Sequence, residues 1–191
     1  MRKIVFAVLI LSCVAFQSNA QNSTFTKKKS IGFSFIGNDY RTPELLRTTS
    51  YASVVRNEKF AKLSEMGHGF GIHYIQSTLP NIDVVASFSG SFVEFSLPGK
   101  NNSSNRFLAE LDVTGNFKMF ENAVVNPYLI AGVGASKYTN VFGAFIPVGG
   151  GINFDIVGEA KLFTQFQYRL PVTTDASKHH FQISFGIAGN L

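Results

Sequence analysis

Four histidines, His68, His73, His179 and His180, are the side chains in this sequence best suited to bind a metal or move a proton. A metal site needs three or four such ligands converging on one point. His179 and His180 are adjacent, so in an extended chain they face opposite ways, and the single cysteine, Cys13, lies within the first twenty residues. Acyl transfer asks instead for a serine, a histidine and an acid on one wall. His180 and Ser184 share a strand face, but any polar face supplies such pairs by chance. Gly149-Gly150-Gly151 and the pair Gly132, Gly134 lack the following helix that a phosphate loop requires. No catalytic residue, bound metal or cofactor is therefore expected, and the chain reads as a non-enzyme.

One polar constellation remains: Asp83, Glu110, Asp112, Lys118, Asp155, Lys161 and Arg169. Each falls on the polar side of a stretch in which apolar and polar residues alternate, the period of a β-strand with two unlike faces. Eight such stretches follow one another: Ser30 to Gly37, Gly67 to Gln76, Ile82 to Val93, Arg106 to Lys118, Val125 to Ser136, Ala144 to Asp155, Ala160 to Leu170, and His179 to Asn190. The fourth is the clearest. Phe107, Ala109, Leu111, Val113 and Phe117 alternate there with Leu108, Glu110, Asp112, Thr114, Asn116 and Lys118. Eight strands is an even number and the smallest usual size for a transmembrane barrel, whose interior is just wide enough for side chains to fill.

The composition fits that solution. Over 191 residues, charged residues make up 15% and hydrophobic ones 45%, with twenty Phe, seventeen Gly and no Trp. Soluble domains carry roughly 25% charge, and a disordered chain would be less hydrophobic and more highly charged. A chain so poor in charge suits a membrane, yet beyond the first twenty residues it offers no run of roughly 20 apolar residues for a spanning helix. An outward apolar face meeting lipid, with polar faces meeting each other across a lumen, resolves the contradiction. Alternation alone leaves open which face is inside, because a soluble small-ligand-binding barrel has the same period. Low charge, a polar face rich in Gly and Ser, and Tyr74, Tyr128 and Tyr168 near segment ends, where an aromatic girdle would sit, favour the membrane.

Residues 1–20 read as a cleaved signal peptide. Arg2 and Lys3 precede an apolar run from Ile4 to Phe16, and Ser18-Asn19-Ala20 offers small residues for cleavage. Residues 21–29 would then be an N-terminal extension and 30–191 the barrel. Cleavage removes Cys13 and lowers the net charge from +5 to +3, too modest to suggest nucleic acid. Lys27-Lys28-Lys29 reads as a solvated terminus.

With the N-terminus on the periplasmic side, the odd-numbered connections should be external and longer throughout than the even ones. The first, Asn38 to Met66, is by far the longest. Pro43 to Arg47 and Ser53 to Ser64 could each form a helical turn, with Val54, Val55 and Phe60 as apolar contacts. A loop of that length has structure of its own or a function, here a lid over the barrel mouth or a surface for a partner. Within the lumen, Asp83 is expected opposite Lys118 and Asp155 opposite Lys161, with Glu110, Asp112 and Arg169 higher up. Charges in so narrow a space must pair or stay wet. They would act as a structural plug or, alternatively, line a narrow pore for small solutes or ions.

Several stretches carry a resemblance. Ser30-Ile31-Gly32-Phe33-Ser34-Phe35, Thr42-Pro43, Leu63-Ser64-Glu65-Met66-Gly67, Asn126-Pro127-Tyr128 with Ala131 to Ser136, Gly143 to Pro147, and Tyr168-Arg169 with Pro171-Val172-Thr173 resemble the barrel domain of OmpA-like outer-membrane proteins of the Bacteroidota. The likeness covers nearly the whole chain after the leader. It implies an eight-stranded antiparallel up-and-down transmembrane β-barrel in the bacterial outer membrane, with a structural or surface-interaction role. Its implied partners are outer-membrane lipid and lipopolysaccharide, the barrel assembly machinery during biogenesis, and an external partner at residues 38–66; a monomer is expected. Many such relatives carry a periplasmic peptidoglycan-binding domain after the barrel. This sequence reaches Leu191 directly after the eighth segment, so the tethering role is not carried over.

Overall fold

The computed structural model describes residues 27–49, 54, 56, 60–93, 106–120, 123–139, 141–156, 159–173 and 178–191. The expected signal peptide and residues 21–26 of the expected extension lie outside them. Eight strands follow in chain order: β1 (Lys29–Asp39), β2 (Gly67–Leu79), β3 (Ile82–Val93), β4 (Arg106–Lys118), β5 (Val125–Tyr138), β6 (Val141–Ile156), β7 (Ala160–Pro171) and β8 (His180–Asn190). Each pairs antiparallel with its neighbours in sequence, and β1 pairs with β8 to close the barrel. Closure leaves no strand edge, so the ladder can satisfy the backbone without water. No helix among the described residues is long and apolar enough to cross a membrane; the strands are the crossing elements.

Alternation is resolved in one sense along the wall. On β1, Phe33 is 58% exposed while Ser34 beside it is 5% exposed. On β4, Leu111 and Val113 point out while Glu110, Asp112 and Thr114 point in. The soluble carrier would turn the same two faces the other way, and this orientation overturns that alternative.

The lumen is packed by placing rings over glycines. A Cβ on Gly151 would come within 2.6 Å of Tyr128 Cζ, and one on Gly186 within 2.5 Å of Phe163 Cζ. At each a backbone carbonyl oxygen is nearer still, that of Thr164 at 2.5 Å and that of Phe33 at 2.4 Å, so ring and neighbouring strand together leave no room for a side chain. Tyr128 therefore lies inside, 2% exposed, and is not the girdle residue its place near a segment end suggested. Ile75, Val85, Phe163 and Ala188 pack beside one another within the lumen.

Strand β6 carries a proline at an interior position. Pro147 stands opposite Arg169 of β7, while the ladder to β5 lapses between the pairs Ala131↔Val148 and Gly134↔Phe145. Proline has no N–H to donate, and the missing rungs lie beside it.

The connections correct one expectation. The fifth shrinks to residues 139–140, shorter than the fourth at 119–124, because Lys137, Tyr138, Val141 and Phe142 continue the alternation and pair as strand. Thr139 takes the tight turn with φ 58, a conformation non-glycine residues adopt seldom.

The first connection is partly helical. Helix α1 (Arg41–Thr48) begins where Asp39 Oδ1 accepts the backbone N–H groups of Arg41 and Thr42, both at 2.9 Å, satisfying two of the free donors of a helix N-terminus. Thr42 Oγ1 then accepts the N–H of Ala61 at 3.0 Å, which ties the returning chain to the helix. A single 3-10 turn, Leu63–Glu65, leads into β2. The Glu65 carboxyl is held below its usual range by the Lys62 N–H and then by Arg41, whose Nη1 lies 2.8 Å away. Val54 is fully buried, whereas Phe60 is exposed; Val55 lies outside the described residues.

Candidate functional site

The polar residues of five strands and of the segment before α1 meet near the end of the lumen beside α1. Arg169 of β7 is 2% exposed. Its Nη1 lies 2.8 Å from Glu110 Oε2 and its Nη2 2.9 Å from Asp112 Oδ2, both on β4 across the lumen. Glu110 and Asp112 share the inward face of one strand, so a single guanidinium can bridge them. Arginine suits this task because its planar fork donates in two directions at once. Nη2 also donates to Gln182 Oε1 of β8 at 2.5 Å. The guanidinium carbon sits 4.7 Å above the Phe145 ring of β6.

From this centre hydrogen bonds run round the wall. Gln182 Nε2 donates to Asn38 Oδ1 of β1 at 3.2 Å, and Asn38 Nδ2 to Ser91 Oγ of β3 at 2.8 Å. His180 Nε2 lies 3.4 Å from Glu110 Oε1. Deeper in, His73 is held between Ser34 Oγ at 2.7 Å and Ser87 Oγ at 3.0 Å, with Phe163 edge-on to its ring.

The other sequence-selected residues stand apart from this centre. Lys118 Nζ lies 3.0 Å from Asp83 Oδ1, toward the end of the barrel that holds both terminal strand ends. Lys161 faces Asp155 in register, but Asp155 is exposed and no ion pair joins the two among the described residues. Asp155 thus departs from the expected lumenal set: it is one residue from the end of β6, where an inward position opens to solvent. The seven residues accordingly fall into a buried triad of Glu110, Asp112 and Arg169, a second pair of Asp83 and Lys118, and two residues near the strand ends.

The histidines disperse. His68 is exposed on the outer wall beside Phe35. His179 stacks on Tyr168 and takes a contact of 2.9 Å from its hydroxyl, and partial burial lowers its pKa. Ser184 Oγ donates to Gln165 Oε1 at 3.4 Å rather than to His180. Among the described residues no three His, Cys, Asp or Glu converge as metal ligands would.

Sequence reasoning missed Asn38, Gln182, Tyr40 and Phe145 as members of the site, and missed His180 as a partner of Glu110. Parity already set Gln182, His180 and Phe145 on inward faces. Their proximity to Arg169 depends on how the barrel closes, which no local pattern encodes.

A closed eight-stranded antiparallel barrel with an apolar outer wall and a packed polar lumen defines the class: a transmembrane β-barrel of the bacterial outer-membrane kind, with the outer membrane as its location. No protein-family model matches the chain, and the curated proteins give no match. Among solved structures, Neisserial surface protein A is similar at 11% identity and a TM-score of 0.55, over 86% of this chain and 97% of that one. A major outer membrane protein from Thermus thermophilus is similar at 8% identity and a TM-score of 0.56, over 87% and 100%. The N-terminal β-barrel domain of Pseudomonas aeruginosa OprF is similar at 12% identity and a TM-score of 0.51, over 87% and 100%. At these identities the likeness is one of fold.

Proposed function

We propose that the chain is a non-catalytic outer-membrane barrel of the OmpA-like kind found in the Bacteroidota, with a structural and surface-interaction role and a lumen plugged by its own side chains. The observation that carries the plug is the near-complete burial of Arg169 between Glu110 and Asp112, at side-chain exposures of 2%, 1% and 1%. In so narrow an interior, side chains that bind one another this closely leave little room for a hydrated ion. On this reading Asp83, Lys118 and Lys161 serve the same filling role at the opposite end, which faces the periplasm. The α1 end faces outward, and the first connection presents the surface for an external partner. Membrane lipid and lipopolysaccharide surround the wall, the barrel assembly machinery inserts the chain after its leader is removed, and the protein works as a monomer.

Reconstitution of the purified protein in planar bilayers tests the plug. The membrane is expected to stay electrically silent at moderate voltage. Regular single-channel steps would instead make the lumenal charges the lining of a narrow pore.

A further inference from the structure

The basic run Lys27-Lys28-Lys29 is tied into the wall rather than standing free of it as a solvated terminus would. Lys29 opens β1 opposite Gln76 of β2, and its carbonyl oxygen accepts the N–H of Leu191 at 2.8 Å. The ladder continues one residue earlier, where the carbonyl oxygen of Lys28 accepts the N–H of Ser77 at 2.9 Å. Hydrogen bonds from β2 on one side and from the residue after β8 on the other thus fix the backbone that carries these lysines. Successive side chains of an extended chain take opposite faces. Lys29 shares the outward parity of Ile31 and Phe33, and Lys27 falls on the same side. Lys28 shares the inward parity of Ser30, where its charge opposes that of Lys161 in the lumen.

The outward side changes character within a few residues at this end. Lys29 is exposed opposite the half-buried Gln76. The next outward pair is Ile31 with Tyr74, then Phe33 with Ile72, all exposed. Cation, amide and phenol therefore stand in order at the edge of an apolar wall. A phospholipid has the same order, with its phosphate just outside its acyl chains. Tyrosine suits the boundary between the two layers, and a lysine there can lay its stem along the apolar surface with the ammonium among the headgroups. Among the described residues no carboxylate forms an ion pair with Lys27, Lys28 or Lys29. Basic side chains at a membrane surface attract anionic lipid.

We propose that, with this end turned to the periplasm as in the outer-membrane reading on which the proposal rests, Lys27 and Lys29 form a site for the headgroup phosphate of an anionic phospholipid. The phosphate accepts from both ammonium groups and from the Gln76 amide, while the acyl chains lie along Tyr74, Ile31 and Phe33. Lys28, turned toward the lumen, takes no part.

The full chain in micelles tests the site when it is titrated with phosphatidylglycerol or with phosphatidylcholine, and native mass spectrometry counts the lipids held by each chain. The first phosphatidylglycerol is expected to bind at least about tenfold tighter than phosphatidylcholine. Lys27→Gln and Lys29→Gln are each expected to weaken it about fivefold, the contribution of one basic side chain near an anionic surface. Lys28→Gln removes the same charge from the same run and is expected to leave the preference intact. Equal affinity for the two lipids, or a loss in Lys28→Gln as large as that in Lys29→Gln, would overturn the proposal. So would tighter binding of tetraglutamate than of phosphatidylglycerol, which would assign the patch to an acidic protein. Heat-modifiable gel mobility of the same samples separates this failure from that of the outer-membrane reading. A folded barrel without the lipid preference sinks the lipid site alone, whereas a chain with no heat-modifiable form sinks both.

Discussion

Arg169→Met is expected to destabilise the folded barrel by about 3–5 kcal/mol, the cost of removing one partner from a buried ion pair. The size comes from what is left behind. Glu110 and Asp112 would remain inside the lumen, each with a side chain about 1% exposed, without the guanidinium that bridges them. The Phe145 face and Gln182 would lose their cationic neighbour as well. The urea midpoint of the folded form in micelles, followed by its heat-modifiable gel mobility, measures the effect. Replacing Arg169, Glu110 and Asp112 together by apolar residues of similar volume is expected to recover most of the loss, because the ions' desolvation cost leaves along with their attraction. If Arg169→Met unfolded at the native urea concentration, the cluster would not be holding β4 to β7.

The second large effect belongs to the outer wall. Leu111→Arg, in the middle of β4 on the outward face where Leu111 is 57% exposed, is expected to cost about 2–4 kcal/mol in a lipid bilayer, the penalty for a cation near the midplane of a transmembrane barrel. A position facing water would tolerate the same change within about 0.5 kcal/mol. Equilibrium unfolding of both proteins in the same bilayer separates the two cases. The comparison reads the solvent of the outer face directly, because Leu111 makes no use of the lumen.

Much of the fold was legible because the side-chain period of a strand is a local property. Leu111, Asp112 and Val113 announce their faces whatever the rest of the chain does. Even Tyr128 carried the right signal: it shares parity with Asn126 and Ile130, both inward, and only its place near a segment end suggested a girdle. The fifth connection was misread for a related reason. Lys137, Thr139 and Asn140 look like loop residues, but an outward lysine at a strand end can set its ammonium over an aromatic ring, as Lys137 Nζ does 5.2 Å from the centre of the Phe142 ring. The site was less legible than the fold. Asp83 meets Lys118 on adjacent strands, a pairing that hairpin order predicts. Arg169 meets Asp112 across 57 residues of sequence, on strands that are not neighbours. That contact follows from the width of the closed barrel and from Phe145 and Gln182 filling the space beside it. Asp155 shows the converse, an inward parity that the end of the strand makes irrelevant.

The most direct test of the transmembrane reading is phase partition of the purified protein, combined with its mobility on a gel before and after heating. A barrel with this outer wall is expected to enter the detergent phase and to change mobility when boiled, as a closed sheet that resists unfolding in detergent until heated. A protein that stays in the aqueous phase, soluble and monomeric without detergent, would contradict the account.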